Sequence, residues 1–267
     1  MTYNEIFHFL RKNDVPLADI RDIFDGYFHV AFDRLGIDGD KDGPTKEEID
    51  GLVSKLKTGY PVSYLVGYTD ILSLHLFLNE DTLIPRMETA DFLYSYIHQN
   101  HDFQNKEILD LCTGSGFIAL AMKKYYPTCH VVGSDISDGA LLMARKNAGY
   151  NGLDVSFMKS DFLKDIDGTF DVIISNPPYI EIDSTEVDAP YEPALALFSG
   201  KDGMDSYRSI FTDIDKHLKK DGIAFFELES RNAILTLSLM KKMNPSYDCE
   251  IIKDLYGRDR FLLARKH

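Results

Sequence analysis

Residues 107–135 read EILDLCTGSGFIALAMKKYYPTCHVVGSD, and the fold class can be predicted from this segment. A short apolar strand, EILDL, leads through a glycine-containing loop into the helical segment FIALAMKKYY, and a second apolar strand, HVVGSD, follows. Glycine lets the backbone turn sharply and lets a ligand approach closely. Because strands separated by helix-length segments form βαβ crossovers, the stretch predicts part of a mostly parallel α/β sheet.

The same alternation continues to the end of the chain. Further strands are predicted in VSFMKSD, FDVIISN, GIAFFELE, YDCEIIKD and RFLLARK. The last two are joined by a link that contains Gly257 and is too short for a crossover, so these strands must be antiparallel to each other. We therefore predict a seven-stranded, mostly parallel sheet whose last strand is antiparallel.

The first part of the chain has a different periodicity. Apolar residues at helical spacing predict helices over 3–12 and 17–35. Thr45 and Glu48 form a capping box that opens a third helix. We predict a small helical domain over residues 1–69, with a role in recognising the substrate.

A linker is predicted between the helical and the α/β parts. Residues 70–84, DILSLHLFLNEDTLI, alternate as a strand does, and Asn79 to Asp81 carry a turn signal. The sequence thus predicts a β-hairpin linker over 70–86, followed by the α/β domain over 87–267.

Composition and charge exclude several classes of protein. The chain has 43 acidic and 29 basic residues, a net charge of -14, which disfavours non-specific binding to nucleic acid. The 3 cysteines are widely spaced, which argues against a disulfide framework and a structural zinc site. No apolar run is long enough for a signal peptide or a membrane span. We expect a cytoplasmic monomer with no membrane or nucleic-acid partner.

No metal site is predicted. Residues 38–43, DGDKDG, have the spacing of the start of a calcium loop. The ninth and twelfth positions of such a loop would be Lys46 and Ile49, and neither can supply the carboxylate that calcium needs there.

The glycine loop indicates the kind of ligand. It comprises Asp110, Cys112, Thr113, Gly114, Ser115 and Gly116, and the third glycine of the dinucleotide fingerprint is absent. An acid at the start of the loop disfavours a pyrophosphate and favours an ammonium group. This charge argument predicts S-adenosylmethionine, which has an ammonium group and no phosphate. The alternative is that Asp110 only caps the following helix.

Acids after the next two strands extend this site. Asp135 ends the second strand, where a carboxylate can accept hydrogen bonds from both hydroxyls of a ribose. Asp161 and Phe162 follow the third strand and are predicted to meet the adenine amino group and ring. The alternative for Phe162 is an ordinary place in the core.

Asn176, Pro177, Pro178 and Tyr179 follow the buried strand FDVIIS. Proline has no backbone N–H, so acceptors dominate this turn, and the Asn176 side chain adds another acceptor. Such a turn favours a planar NH₂ group, whose two N–H bonds Asn176 and the Pro177 carbonyl could hold. Catalysis would then consist mainly of positioning and placed dipoles. A simple tight turn after a buried strand is the alternative.

Together these motifs resemble class I methyltransferases that act on exocyclic or amide nitrogens, and most of all the PrmC/HemK family of release factor glutamine-N5 methyltransferases. The resemblance covers roughly residues 60–267 and includes LIPRMETADFL at 83–93, the stretch at 191–210 and DLYGRDRFLLAR at 254–265. It implies a Rossmann-like fold and methylation of the glutamine in the Gly-Gly-Gln motif of peptide chain release factors.

By this resemblance, the residues from Cys112 to Gly116, Asp135, Phe162 and Asn176 would contact the cofactor. Asn176 to Tyr179 would contact the glutamine, with Arg86, Glu88 and Glu192 as further substrate-binding residues. The chain departs from the family pattern at Met87, Cys112 and Glu229.

Two other functions remain open from sequence. An adenine-N6 methyltransferase acting on nucleic acid shares the Asn-Pro-Pro-Tyr motif, but residues 1–60 are not strongly basic. A methyltransferase fold used only as a binding module is the non-enzymatic alternative.

Overall fold

The structure is a computed structural model that describes residues 1–184 and 189–267. These residues form two compact units. The first consists mainly of Met1–Thr69, and the second mainly of Asp70–Phe77, 81–184 and Glu192–His267.

The first unit is helical. Its helices are α1 (Tyr3–Lys12), α2 (Leu17–Asp22), α3 (Leu35–Asp38), α4 (Lys46–Lys57) and α5 (Val62–Val66). The predicted capping box is present at the start of α4: Glu48 N donates to Thr45 Oγ1, and Thr45 N donates to Glu48 Oε2. Apolar side chains of α1, α2 and α4 form the core of this unit.

The predicted continuous helix over 17–35 is wrong. After α2 the chain continues as a π-helical turn (Ile23–Tyr27), leaves helical geometry at 28–31, and resumes as a 3₁₀ turn (Phe32–Arg34) before α3. The apolar spacing persists through the break because Phe28 and Phe32 both pack against Phe24, with ring centroids 5.3 and 5.9 Å away. Core packing, and not a helix, therefore produces this part of the pattern.

The hairpin is present, but its turn lies elsewhere. Strands β1 (Tyr68–Ile71) and β2 (Leu74–Phe77) form a two-stranded sheet. The turn is at Leu72 and Ser73, with φ of 50° and 56°, and not at Asn79 to Asp81. Two successive left-handed residues fit a tight hairpin turn, but such turns usually carry Asn-Gly or Asp-Gly. Leu-Ser therefore gives no turn signal in the sequence.

The second unit contains the α/β sheet. After β2, the first helix of this unit is α6 (Met87–Asp91), which continues as a π-helical segment (Phe92–His98). The elements that follow are β3 (Glu107–Leu111), α7 (Phe117–Tyr125), β4 (His130–Asp135), α8 (Asp138–Asn151), β5 (Ser156–Lys159), β6 (Phe170–Ser175), α9 (Ala194–Leu197), α10 (Asp205–His217), β7 (Leu218–Glu227), α11 (Ala233–Met243), β8 (Tyr247–Lys253) and β9 (Asp259–Lys266).

The strand order confirms the predicted sheet. It is β5-β4-β3-β6-β7-β9-β8, with parallel pairing from β5 to β7 and antiparallel pairing of β9 with both neighbours. Successive side chains of β3 pack into two different apolar clusters, since Ile108 belongs to one and Leu109 to the other. From β3 the chain goes first to β4 on one side and later to β6 on the other. Open α/β sheets bind ligands beyond the strand ends at such a reversal.

Among the described residues, no helix is long and apolar enough to cross a membrane.

Candidate active site

A cavity of about 370 Å³ lies at the carboxyl ends of β3, β4 and β6. Its volume is within the usual range for small-molecule sites. Most of the predicted site residues line it, namely Arg86, Cys112, Thr113, Gly114, Ser115, Asp135, Asp161, Phe162, Asn176 and Pro178. Six predicted residues are not on its wall, namely Glu88, Asp110, Gly116, Pro177, Tyr179 and Glu192.

The loop after β3 has an unusual backbone. Cys112, Gly114 and Gly116 have φ of 64°, 54° and 85°, all in the left-handed region that favours glycine. Cys112 therefore adopts a backbone conformation that favours glycine, the residue from which the chain departs at this position. Burial raises the pKa of the Cys112 thiol, so the side chain stays neutral beside the nearby acids.

Asp110 lies beneath the loop, away from the cavity wall, and binds it through hydrogen bonds. It is fully buried, and its Oδ2 accepts hydrogen bonds from Thr113 Oγ1 at 2.5 Å and from Ala119 N at 2.9 Å. Ala119 lies in the first turn of α7, so Asp110 does cap this helix, as the alternative interpretation proposed. Its Oδ1 has no hydrogen-bond partner among the described residues. Because Asp110 is not on the cavity wall, it acts on the cavity through the hydrogen bonds that hold the loop and α7.

We expect Asp110→Asn to change how stability depends on pH. Burial raises the pKa of Asp110 to about 7, from an ordinary value of 3.8, so the folded protein binds more protons than the unfolded chain between these values. Its contribution to stability is thus present at low pH and is lost as pH rises toward 7, by at most about 1.4 kcal/mol per pH unit. Urea unfolding at several pH values should show that Asp110→Asn removes this slope.

The exposed Asp154 provides the control, because Asp154→Asn changes the same formal charge outside the site. An Asp110→Asn variant whose free energy of unfolding follows pH as the wild type does would contradict the assignment.

Asp135 connects β4 to the loop. Its Oδ2 accepts a hydrogen bond from Gly114 N and its Oδ1 accepts one from Ser137 N, both at 2.9 Å. Burial raises the pKa of Asp135, and these backbone hydrogen bonds oppose the rise. Each carboxylate oxygen has a second lone pair, and the side chain lies on the cavity wall. Asp135 can therefore still accept hydrogen bonds from a ligand.

Asp161 and Phe162 form another part of the wall. Phe162 has φ of 51°, and its carbonyl accepts a hydrogen bond from Ser160 Oγ at 2.5 Å. Phe162 lines the cavity and also packs against an apolar layer of the sheet, so its packing against the core does not remove it from the cavity wall. Asp161 is paired with Lys164, whose ammonium group is off the wall.

The Asn-Pro-Pro-Tyr segment begins directly after β6. The Asn176 side chain lies on the cavity wall, and none of the described residues forms a hydrogen bond with its amide. Pro177 is buried and is not on the cavity wall, whereas Pro178 lines the cavity. The Tyr179 hydroxyl points away and donates a long hydrogen bond, 3.4 Å, to Glu227 Oε1. Asn176 thus belongs to the cavity wall, and its side-chain amide has no partner among the described residues.

Sequence reasoning missed Glu227. This carboxyl group ends β7, is 2% exposed, and accepts a hydrogen bond from Thr89 Oγ1 at 2.6 Å as well as the one from Tyr179. Tyr207 donates to the Glu227 backbone carbonyl at 2.6 Å. Burial raises the pKa of Glu227. The only signal in the sequence is an acid at the end of the apolar run AFFE.

Glu229, the departure noted after this strand, lies outside the cavity wall. Its Oε1 accepts a hydrogen bond from Arg231 Nε at 2.7 Å. A local ion pair thus accounts for the acid at this position.

The predicted substrate-binding residues have different surroundings. Arg86 is on the wall and donates to Glu192 Oε1 at 2.6 Å, while Ile84 N donates to Glu192 Oε2 at 3.0 Å. The Glu192 side chain is 5% exposed, so it holds Arg86 in place from behind the wall. Glu88 is off the wall and pairs with Arg258 at 3.1 Å.

The wall suits a positively charged ligand. Its acids are Asp81, Asp135 and Asp161, against one base, Arg86. Carboxylates attract a sulfonium and an ammonium group and repel a phosphate. With Asp135 as an acceptor and the unpartnered Asp110 Oδ1 beneath the loop, these residues fit S-adenosylmethionine better than a dinucleotide.

Solved structures of methyltransferases share this fold. One from Pyrococcus furiosus has a TM-score of 0.55 and 20% identity, over 82% of this chain and 96% of that chain. A ribosomal protein L11 methylase from Lactobacillus delbrueckii subsp. bulgaricus has a TM-score of 0.50 and 24% identity, over 68% and 81% of the two chains. A sequence profile of the methyltransferase small domain matches residues 88–192. The chain therefore has the Rossmann-like fold of these methyltransferases.

Curated relatives then give the family. Proteins from Streptococcus pneumoniae and Francisella tularensis are both 35% identical to this chain, the first over 82% of this chain and 80% of its own length, the second over 95% and 90%. One from Flavobacterium psychrophilum is 36% identical over 78% and 76% of the two chains. Each carries the name release factor glutamine methyltransferase. This chain belongs to the release factor glutamine methyltransferase family.

Proposed function

We propose that this chain transfers the methyl group of S-adenosylmethionine to the side-chain amide nitrogen (N5) of the glutamine in the Gly-Gly-Gln motif of peptide chain release factors. The observation that carries the proposal is the Asn176 amide, which lies on the cavity wall with no partner among the described residues. The names of the relatives support the choice of substrate.

An amide nitrogen is a poor nucleophile because its lone pair is delocalised into the carbonyl group. Asn176 Oδ1 and the Pro177 carbonyl oxygen would each accept one N–H bond of the glutamine amide, and neither accepts a hydrogen bond from the described residues. Two fixed acceptors orient the lone pair and stabilise the positive charge that grows on nitrogen during attack. When bound, the cofactor supplies the electrophilic methyl group on its sulfonium. The surplus proton leaves the methylated nitrogen afterwards, so the site needs no strong base.

The cofactor would be held by the residues around the loop. Asp135 would accept hydrogen bonds from the ribose hydroxyls, and Phe162 would cover one face of the adenine, with Asp161 near its amino group. The loop from Cys112 to Gly116 would hold the methionine part. What supports these assignments is that all these residues, other than Gly116, line one cavity.

The proposal can be tested with labelled S-adenosylmethionine and three acceptors: a purified release factor, its Gly-Gly-Gln variant with Gln→Ala, and a DNA duplex. Label on the wild-type factor alone is the expected result. Label on DNA would move the function to an adenine-N6 methyltransferase. Label on neither, with cofactor binding intact, would contradict the release factor as substrate.

We further propose that the first unit helps to select the protein substrate. It exposes large apolar side chains, with Leu17, Tyr27 and Ile37 exposed by 52%, 47% and 78%. Replacing all three with serine is expected to raise KM for the release factor about tenfold without changing cofactor affinity, because apolar contacts with the partner would be lost. Leu142→Ser, which alters a 70% exposed side chain of α8, is the control. An unchanged KM in the triple variant would contradict the proposed role.

The charge and the cysteines of the chain bear on its partner and its location. The net charge of -14 supports a protein substrate over a nucleic acid. Cys112, Cys129 and Cys249 are free thiols, which suits the reducing cytoplasm where we propose that it acts, as a monomer.

A further inference from the structure

Two asparagines of α8 bind the free edge of β2. Asn147 Oδ1 accepts from Phe77 N at 2.8 Å, and Asn147 Nδ2 donates to Phe77 O at 3.1 Å. One turn further on, Asn151 Oδ1 accepts from His75 N at 3.1 Å, and Asn151 Nδ2 donates to His75 O at 2.8 Å. Each side-chain amide thus pairs with the strand as a neighbouring peptide group would.

The two asparagines differ in their remaining contact. Asn147 Nδ2 also donates to the carbonyl oxygen of Ser115 at 2.9 Å, whereas Asn151 Nδ2 also donates to the Asn147 carbonyl within α8. Asn147 is completely buried, and Ser115 is part of the cavity wall. One amide therefore connects the hairpin strand to the loop that follows β3.

The hydrogen bond from Asn147 reaches the loop at Ser115, which lies between two glycines. Gly114 and Gly116, on either side of Ser115, both have left-handed φ, and glycine can leave that conformation at little cost. Gly114 is held by the hydrogen bond from its N–H to Asp135. Because a peptide group is planar, the bond to Ser115 O and the hydrogen bond from Gly116 N to Thr113 O together fix the orientation of the peptide between Ser115 and Gly116.

We propose that Asn147 is a positioning residue for cofactor binding, which holds the loop through the Ser115 carbonyl and uses β2 as its anchor. The inference rests on the proposed cofactor site. Asn151 provides a matched control, because it makes the same two bonds to β2 from the same helix and none to the loop.

The test compares Asn147→Ala with Asn151→Ala by calorimetric titration with S-adenosylmethionine and by urea unfolding. Both variants lose a pair of bonds to β2, so both should be destabilised. Only Asn147→Ala should weaken cofactor binding, by about tenfold, which corresponds to one buried hydrogen bond. Its kcat at saturating cofactor should stay near that of the wild type, since Asn147 is not on the cavity wall.

If Asn147→Ala does not fold, Asn147→Ser takes its place, because a single hydroxyl can donate to only one of the two carbonyl oxygens that the amide binds and introduces no charge into this buried position. Equal cofactor affinity in the Asn147 and Asn151 variants would overturn the proposed role. A wild-type protein that does not bind S-adenosylmethionine would instead overturn the proposed function, so the two failures can be told apart.

Discussion

Asn176→Ala is expected to lower kcat by about 10² to 10³, the usual effect of removing one preorganised dipole from a transition state. The Asn176 side chain is on the cavity wall and makes no hydrogen bond with the described residues, so the variant should lose little stability. Its affinity for S-adenosylmethionine should fall far less than kcat, because the proposed ribose and adenine contacts are made by other residues and Asn176 is only one of the predicted cofactor contacts. Single-turnover methyl transfer to the release factor, together with calorimetry of cofactor binding, separates these quantities.

The Asn176→Asp variant distinguishes the loss of the acceptor oxygen from the loss of the side-chain shape. Aspartate has almost the same shape and keeps an oxygen that can accept an N–H bond, so it should retain more activity than alanine. If the side chain served only to shape the turn between β6 and Pro177, alanine and aspartate would have similar effects. Full activity in Asn176→Ala would show that another group orients the glutamine amide.

The sheet could be predicted because its information is local. Apolar segments such as FDVIIS are buried on both faces, as strands of a parallel sheet are, and the helices between them enforce crossovers. The short link at Gly257 required the last two strands to be antiparallel, and β8 and β9 are. The Gly loop and Asp135 meet for the same reason, since parallel neighbours end at one edge of the sheet.

Errors arose where tertiary contacts override local preference. The break after Tyr27 places Phe28 and Phe32 against Phe24, and a helical pattern cannot reveal it. The hairpin turn at Leu72 and Ser73 adopts left-handed φ without a residue that favours it. In both cases the surrounding packing determines the backbone.

The hydrogen bonds that hold the residues around the cavity in place could not be predicted from the sequence. Glu227 receives a hydrogen bond from Thr89, which is 138 positions away, and Asn147 binds Phe77 at a separation of 70. Neither pair has a recognisable motif, because a buried polar group needs only some partner at the right distance and not one at a fixed spacing. Motifs identified many of the residues that line the cavity, whereas these supporting contacts are visible only in the three-dimensional structure.

Asp135→Ala is expected to weaken binding of S-adenosylmethionine about a hundredfold, the equivalent of two hydrogen bonds to a charged acceptor. Asp135 lies on the cavity wall, and each of its carboxylate oxygens has a second lone pair with which it could accept a ribose hydroxyl. It also accepts a hydrogen bond from Gly114 N, so the variant would lose support for the loop as well. Calorimetry alone would therefore measure both effects together.

A ligand that lacks one ribose hydroxyl separates the two effects. S-adenosylhomocysteine and its 2′-deoxy analogue should differ in affinity for the wild type by about tenfold, since one hydrogen bond to Asp135 is lost. In Asp135→Ala the same two ligands should bind almost equally, because the hydroxyl has no carboxylate left to meet. The difference of differences measures the contact itself, as in a double-mutant cycle. If the analogue lost as much affinity for the variant as for the wild type, Asp135 would act on the cofactor only by holding Gly114, and the ribose hydroxyls would have to bind another group of the cavity wall.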